Sequence, residues 1–402
     1  MRVLMILYLV PPSDAVAALR VRRLIGALPG LGIEPVIVAP GSGAWDAPGV
    51  RMVRFEGVDP MAALHAARRG GSAPERRRFP RLKRWVRSFQ VPDERWPLRK
   101  AWVRAALDAA AGVDAVYSSS APYTCHLVAR DVSRMLHKPW VMELRDLWSD
   151  STYQPQYGNP LSRARNTRME RACVADAARV VVLTEAHRRH ASRRFADHAA
   201  KFRMVPNAFE PGFPDRAPTQ GPLRLFYAGN LYGGRTLAGL AAAVRSLGEV
   251  PGFDGAVLEV AGRSFDRPWE EAMGGSLDGV VIHGPLPHAR IRELLAEVHA
   301  GVLHNPASDL IHIPGKLYDY LGAAIPVMDL SAQPDIPAMC EGVSLHRRAP
   351  AGDVAGLRSA VRDIAAWWGE HPLGLPRPGG DHPLAAGSSA QRLAETLREA
   401  AS

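Results

Sequence analysis

Residues 313–327 read IPGKLYDYLGAAIPV, and the pattern they show runs through the whole chain. An apolar run at 300–303 comes first, then a loop at 304–314 rich in proline, asparagine and aspartate. Leu317, Tyr320 and Leu321 follow at helical spacing, which places Gly315 and Lys316 near the start of a helix. A helix start offers unpaired N–H groups and a positive dipole end, and Lys316 adds a full charge, so this is a place to hold a phosphate. An ordinary buried strand–helix turn with a solvated lysine fits the segment, taken alone, equally well.

Working outward, the same alternation recurs on both sides. In the first half, apolar strands are expected at 3–10, 35–39, 50–55, 114–117, 140–144 and 180–183. Helical spacing falls between them at 17–28, 98–111, 124–136 and 163–175. Residues 210–222 hold four prolines and two glycines with little periodicity and read as a linker. A second alternating set then runs through strands at 223–229, 256–262, 280–284, 301–305 and 325–330, with a helix at 289–299 before the lysine helix. Such alternation predicts parallel sheets covered by helices on both faces. The expected α/β architecture is two doubly wound Rossmann-like domains, 1–208 and 223–365, with a linker at 209–222. A helical tail, 366–402, would cross back to the first domain, anchored by Trp367 and Trp368. Ligands of such sheets bind beyond the carboxyl ends of the strands, so chemistry is sought in the loops that follow them.

Composition narrows the class. The chain has 402 residues, 47% of them hydrophobic, which is enough for two cores. Cys125, Cys173 and Cys340 are widely spaced and odd in number, so neither a disulfide framework nor a zinc site is expected, and a reducing cytoplasm fits. Residues 1–10 are apolar but short and read as a first strand rather than a signal peptide. No apolar run is long enough to span a membrane. The net charge of +10 is concentrated: residues 68–104 carry 13 Lys/Arg against 3 Asp/Glu, and the remainder balances at 37 against 37. Within that segment Phe79, Leu82, Trp85, Val86 and Phe89 fall at helical spacing among seven basic residues. A helix over 76–89 would either lie on an anionic membrane or pack on its own domain with a solvated arginine face. No nucleic-acid recognition motif accompanies the charge. The dinucleotide fingerprint, the P-loop, H-E-x-x-H and G-x-S-x-G are all missing, which argues against dehydrogenases, P-loop NTPases, zincins and typical serine hydrolases.

Six stretches carry a family resemblance. LRVRRLIGALPGLGIEPVIVAP (19–40), VDAVYSSSAPYTCHLVARD (113–131) and KPWVMELRDLW (138–148) resemble the N-terminal domain of bacterial nucleotide-sugar glycosyltransferases of the family 4 type. VPNAF (205–209), FYAGNLYGGR (226–235) and IPGKLYDYLGAAIPV resemble that family's later motifs, in the right order. The resemblance implies a GT-B fold, its two domains facing across a cleft: an N-terminal acceptor-binding domain and a C-terminal donor-binding one.

It also implies residue roles. Arg235 and Lys316 would grip the donor's diphosphate and stabilise the leaving group as charge develops. Arginine forks onto phosphate oxygens, and lysine acts as a point charge. Gly229, Asn230, Gly262, Arg263 and Leu286 would line the donor pocket, and Asp319 would bind the ribose. Relatives carry another acid eight positions before Asp319, but Ile311 stands there, with Asp309 and His312 as possible substitutes. Asp14, Ser120, Arg145 and Asp146 would face the acceptor, with Asp146 orienting a hydroxyl or acting as a base if the reaction inverts. His126 reads as a packed histidine. The implied activity is transfer of a sugar from a nucleotide-diphosphate donor to a hydroxyl, with retention and without a metal or other cofactor. The acceptor would be either a lipid-linked or cell-envelope molecule or a small metabolite, and the site of action the cytoplasm or the inner membrane face. Two alternatives remain: a sugar-nucleotide epimerase on the same fold, or a non-catalytic protein that binds anionic surfaces.

Overall fold

The computed structural model describes residues 1–13, 16–57, 91–150, 159–216, 221–247, 250, 252–306 and 309–402. Asp14 and the basic stretch 76–89 lie outside them. The chain divides into two compact units, one of 1–206 with 390–402, the other of 207–389.

The first unit is built on seven strands, β1 (Arg2–Ile6), β2 (Glu34–Pro40), β3 (Arg51–Phe55), β4 (Ala115–Ser119), β5 (Trp140–Leu144), β6 (Arg179–Val182) and β7 (Phe202–Met204). They pair in the order β3-β2-β1-β4-β5-β6-β7, every pair parallel. Every residue of β4 and β5 is buried, as expected of strands covered on both faces. β1 ends at Ile6, short of the expected 10, because the chain bends at Tyr8 and Leu9 before it turns at Pro11 and Pro12. Local chemistry sets the helix starts. The Asn159 side chain accepts from the backbone N–H of Leu161 and Ser162 ahead of Pro160–Asp176, and Thr184 accepts from His187 N–H at the head of Glu185–Arg194.

The second unit has six strands, β8 (Leu223–Ala228), β9 (Ala256–Ala261), β10 (Val280–Gly284), β11 (Ala300–Leu303), β12 (Val327–Asp329) and β13 (His346–Arg348). Their order is β10-β9-β8-β11-β12-β13, again all parallel. Alternation along β8 feeds two cores: Leu223, Leu225 and Tyr227 face one cluster and Phe226 the other. The order reverses between β8 and β11, which opens a crevice at their carboxyl ends.

The tail departs from the expected course. Residues 354–370 form a helix of the second unit, headed by Asp353, which accepts from Gly356 N–H. Trp368 is buried there, donating from Nε1 to the His299 carbonyl at 2.8 Å, with Trp367 packed edge-on against it. The tryptophans therefore serve the core of the second unit rather than anchor a crossing, because the apolar face of their helix is already covered there. The return to the first unit is made by Ala386–Ala401, whose residues from Ala390 onward belong to it. Leu393 and Leu397 are buried, and Glu399 accepts from Arg179 and Arg203.

Candidate functional site

The crevice beyond β8 and β11 gathers the residues that the second half of the sequence singled out. Tyr320, one turn into the lysine helix (Lys316–Gly322), wedges between the two strands. Its hydroxyl accepts from Ala228 N–H at 3.2 Å and lies 3.2 and 3.3 Å from the carbonyls of Phe226 and Val302. Gly301 makes room for the ring: a Cβ there would fall 2.3 Å from it. This wedge sets the height of the helix, and so the reach of Lys316.

Lys316 is half-buried, its ammonium 3.4 Å from the centroid of the buried Tyr227 ring. Burial lowers its pKa well below the usual lysine value, and the nearby Arg235 adds to the effect. Arg235 lies over the Tyr232 ring at 4.3 Å. The same burial pushes the Tyr227 hydroxyl up to about 12, although Arg235 pulls the other way, so it stays a neutral phenol. No carboxylate or carbonyl among the described residues accepts from the side chain of Lys316 or Arg235. Two cations thus converge at one sheet edge without a counter-ion.

The helix start itself contributes less than the sequence implied. Leu317 N–H already bonds the Pro314 carbonyl at 3.0 Å and Tyr318 N–H the Gly315 carbonyl at 3.3 Å. Those donors are taken by the local turn, so the attraction for an anion rests on the side chains.

Close backbone approach shapes the other loops. A Cβ on Gly229 would lie 2.8 Å from Lys316 Nζ, and one on Gly262 would lie 2.1 Å from the Gly229 carbonyl oxygen. Asn230 Oδ1 accepts from Arg263 N–H at 2.9 Å, tying the loops after β8 and β9 together. The Arg263 side chain is exposed, and Leu286 is half-buried against the core beneath the loop after β10.

Asp319 is buried, with Oδ2 3.1 Å from His288 Nε2. His288 is thus one of its partners. Beside Ile311, Asp309 Oδ1 holds the His312 imidazole through Nδ1 at 2.8 Å and accepts from His312 N–H at 3.0 Å. Asn305 Nδ2 donates to the His312 carbonyl at 3.0 Å and closes that loop.

At the carboxyl edge of the first sheet, Glu143 is buried and held by Arg20 at 2.7 Å and by the Ser119 hydroxyl at 2.7 Å. Burial alone would raise the Glu143 carboxyl; the charge and hydrogen bonds of Arg20 outweigh it and hold the group below its ordinary value. Ser120 is buried too, its hydroxyl 3.3 Å from the Glu143 carbonyl and 3.4 Å from Arg145 N–H. It fastens the loop. Arg145 is half-buried; burial lowers its guanidinium, against the pull of Glu143 and Asp146. Its Nε is buried without a hydrogen-bond partner, and no ion pair forms on it among the described residues. Asp146 is exposed. His126 is fully buried against Ser118 at 2.8 Å and pushed down to about 3 by burial, consistent with packing.

Residues 17–208 match the model of the glycosyl transferase 4-like domain. Over those residues the chain is similar to that family's domain. The sheet there is the one whose carboxyl edge carries Arg145 and Asp146. The whole chain has the GT-B architecture, two Rossmann-like domains in sequence. HepE from Anabaena in complex with UDP is similar at TM-score 0.61 and 14% identity, covering 99% of this chain and 100% of that one. The lipopolysaccharide outer core galactosyltransferase WaaB gives TM-score 0.57 at 11% identity, with 99% of each chain covered. UDP-GlcNAc 2-epimerase from Neisseria meningitidis, bound to UDP-GlcNAc, gives 0.55 at 10%, covering 99% of this chain and 100% of that one. At such identities the likeness shows the fold. No curated protein matches the sequence.

Sequence reasoning missed Tyr227, Tyr320, His304 and His288. The tyrosines read as core positions in a strand and a helix, and nothing local marks an aromatic ring as the floor of an ion site. Among the described residues no group of three or more His, Cys, Asp or Glu side chains is arranged to hold a metal, and no helix is long and apolar enough to cross a membrane.

Proposed function

We propose that the protein transfers a sugar from a nucleotide-diphosphate donor to a hydroxyl of an acceptor, retaining anomeric configuration and using no metal. The observation that carries this reading is the meeting of Lys316 and Arg235 at the crevice, without a counter-ion, in the domain that binds the donor in GT-B enzymes. As the bond from the sugar C1 to the β-phosphate oxygen breaks, negative charge grows on the diphosphate, and two fixed cations stabilise it in the role a metal could otherwise fill. Asp319, oriented by His288, would take the ribose hydroxyls. His312, held by Asp309, would meet the donor sugar in place of the acid that Ile311 replaces. Arg145 and Asp146 would contact the acceptor. The complexes of the similar HepE with UDP and with UDP-glucose support the donor class.

The test is calorimetric titration with UDP, GDP, dTDP and ADP. One diphosphate is expected to bind tightly, and Arg235→Ala or Lys316→Ala to weaken it by about 2 kcal/mol or more. No binding to a folded protein would overturn the reading. The epimerase alternative draws on the likeness to UDP-GlcNAc 2-epimerases; isomerisation of a sugar nucleotide with no acceptor present would establish it in place of transfer.

A further inference from the structure

His304 is the first residue after β11 and is 8% exposed. It belongs to none of the groups that the sequence assigned. Four neighbours act on its ring: the Arg235 and Lys316 charges, and the backbone of Thr236 and of Asn305. Thr236 lies in the loop after β8, Lys316 on the lysine helix, and Asn305 in the same loop as the histidine itself. No carboxylate is among them. The ring's Nδ1 is shut off from solvent and has no hydrogen-bond partner. Native proteins rarely leave a buried ring nitrogen in that condition unless a ligand or a proton comes to it.

The position explains the condition. Burial is the largest influence and disfavours the imidazolium; the Asn305 and Thr236 backbone works against it, the Lys316 and Arg235 charges add to it, and the balance brings the group down to about 4. Without ligand, the imidazole is therefore neutral near neutral pH. A diphosphate seated between the two cations brings at least two negative charges to the same place. Those charges offset the two cations at the ring, and the orphan nitrogen gains an acceptor.

We propose that His304 is a third ligand of the donor diphosphate, taking one proton from solvent as the diphosphate settles between Lys316 and Arg235 and donating it as a hydrogen bond to a phosphate oxygen. The balance is simple: one proton leaves the solvent, one N–H forms, and no covalent bond of the donor changes. This rests on the donor-site reading above and adds to it a linkage between binding and pH. Donor affinity should fall as pH rises, by at most about tenfold per pH unit for one linked proton. Release of the nucleoside diphosphate would return the proton.

The experiment titrates the intact protein with UDP-glucose, GDP-mannose, dTDP-glucose and ADP-glucose, whose diphosphates are fully ionised through the neutral range. Each titration is repeated in two buffers of different ionisation heat, between about pH 6 and 8. For the sugar nucleotide that binds, the expected result is net proton uptake in the wild type. In His304→Gln, which keeps a donor but cannot titrate, heats should be independent of buffer and affinity flat with pH. Lys316→Arg, permanently charged, should bind with uptake retained, which separates the histidine from the lysine as the proton's destination. Binding without proton uptake in the wild type overturns the proposal and leaves the donor site standing. Uptake that persists in His304→Gln overturns it in favour of Lys316. Failure of every sugar nucleotide to bind removes the donor-site reading and this inference with it. If His304→Gln does not fold, Lys316→Arg carries the test: uptake retained there supports the histidine, and uptake lost there overturns the proposal.

Discussion

Gly229 and Gly262 sit a few ångströms apart, yet they answer to different neighbours. A methyl on Gly229 meets the far end of Lys316, a flexible side chain that can move. A methyl on Gly262 meets the Gly229 carbonyl, which is backbone and cannot. Both positions have a positive φ, 158° and 155°, so alanine strains the backbone at either. Gly229→Ala is therefore expected to cost less stability than Gly262→Ala while pushing the ammonium off Tyr227 and weakening nucleotide diphosphate binding severalfold. Gly262→Ala should instead cost about 1–3 kcal/mol of stability, as over-packing does. Thermal melts and calorimetry on both variants separate the two effects; equal losses of stability would refute the distinction. At this scale the sequence announced charge well and environment poorly. Lys316 stood out because it falls at a helix start after a strand, and Arg235 through the family resemblance. Tyr227 and His304 did not, because their significance lies in what other loops bring to them.

Among elements, strands were the most legible, since buried parallel strands write themselves as short apolar runs between helices. Their ends were less so: β1 stops at Ile6 ahead of a bend at Tyr8 and Leu9, and the tryptophan-bearing helix was assigned across the wrong boundary because apolarity does not say which core it covers. The link between the helix Val16–Leu24 and β5 was invisible in sequence, with Arg20 and Glu143 separated by 123 positions. Arg20 also donates to the carbonyls of Val205 and Pro206, where the chain leaves the first unit. One buried pair thus fixes a helix, a strand and an exit. Because the Glu143 carboxyl is lowered in the folded state, its contribution is complete above the unfolded carboxylate value and is lost as pH falls through the folded one. Glu143→Gln leaves Arg20 buried without its counter-charge and is expected to cost about 3–5 kcal/mol at neutral pH. Denaturant unfolding at neutral and acid pH checks this: the gap between variant and wild type should narrow on acidification. A gap that is constant with pH would show that the charge is not what matters.

Over the whole molecule, the chain is divided so that the segment completing the first unit follows the whole of the second in sequence. Residues 390–402 belong to the first unit after an excursion of more than 180 residues. There Leu393 and Leu397 are buried, and Glu399 gathers Arg179 and Arg203. Those two arginines draw the exposed Glu399 carboxyl down to about 2, a sign of a well-formed pair but, so near solvent, not of large stabilisation. The stabilising part is the apolar seam, and burying an aliphatic side chain contributes roughly 1.5–3 kcal/mol. Each unit has its own sheet and core, so removing this segment should strike one unit and spare the other. A chain ending at Ser389 is expected to unfold in two steps, the first unit melting several degrees earlier than in the intact protein. The donor crevice, built wholly from residues of the second unit, should keep its affinity for the nucleoside diphosphate that the intact protein binds, within about twofold, since additivity holds for distant sites. Loss of nucleotide binding together with the first transition would mean that the second unit depends on the first for its fold. Retained binding would show that the donor half carries its ligand site alone, and that the returning helix serves the half where the acceptor is expected.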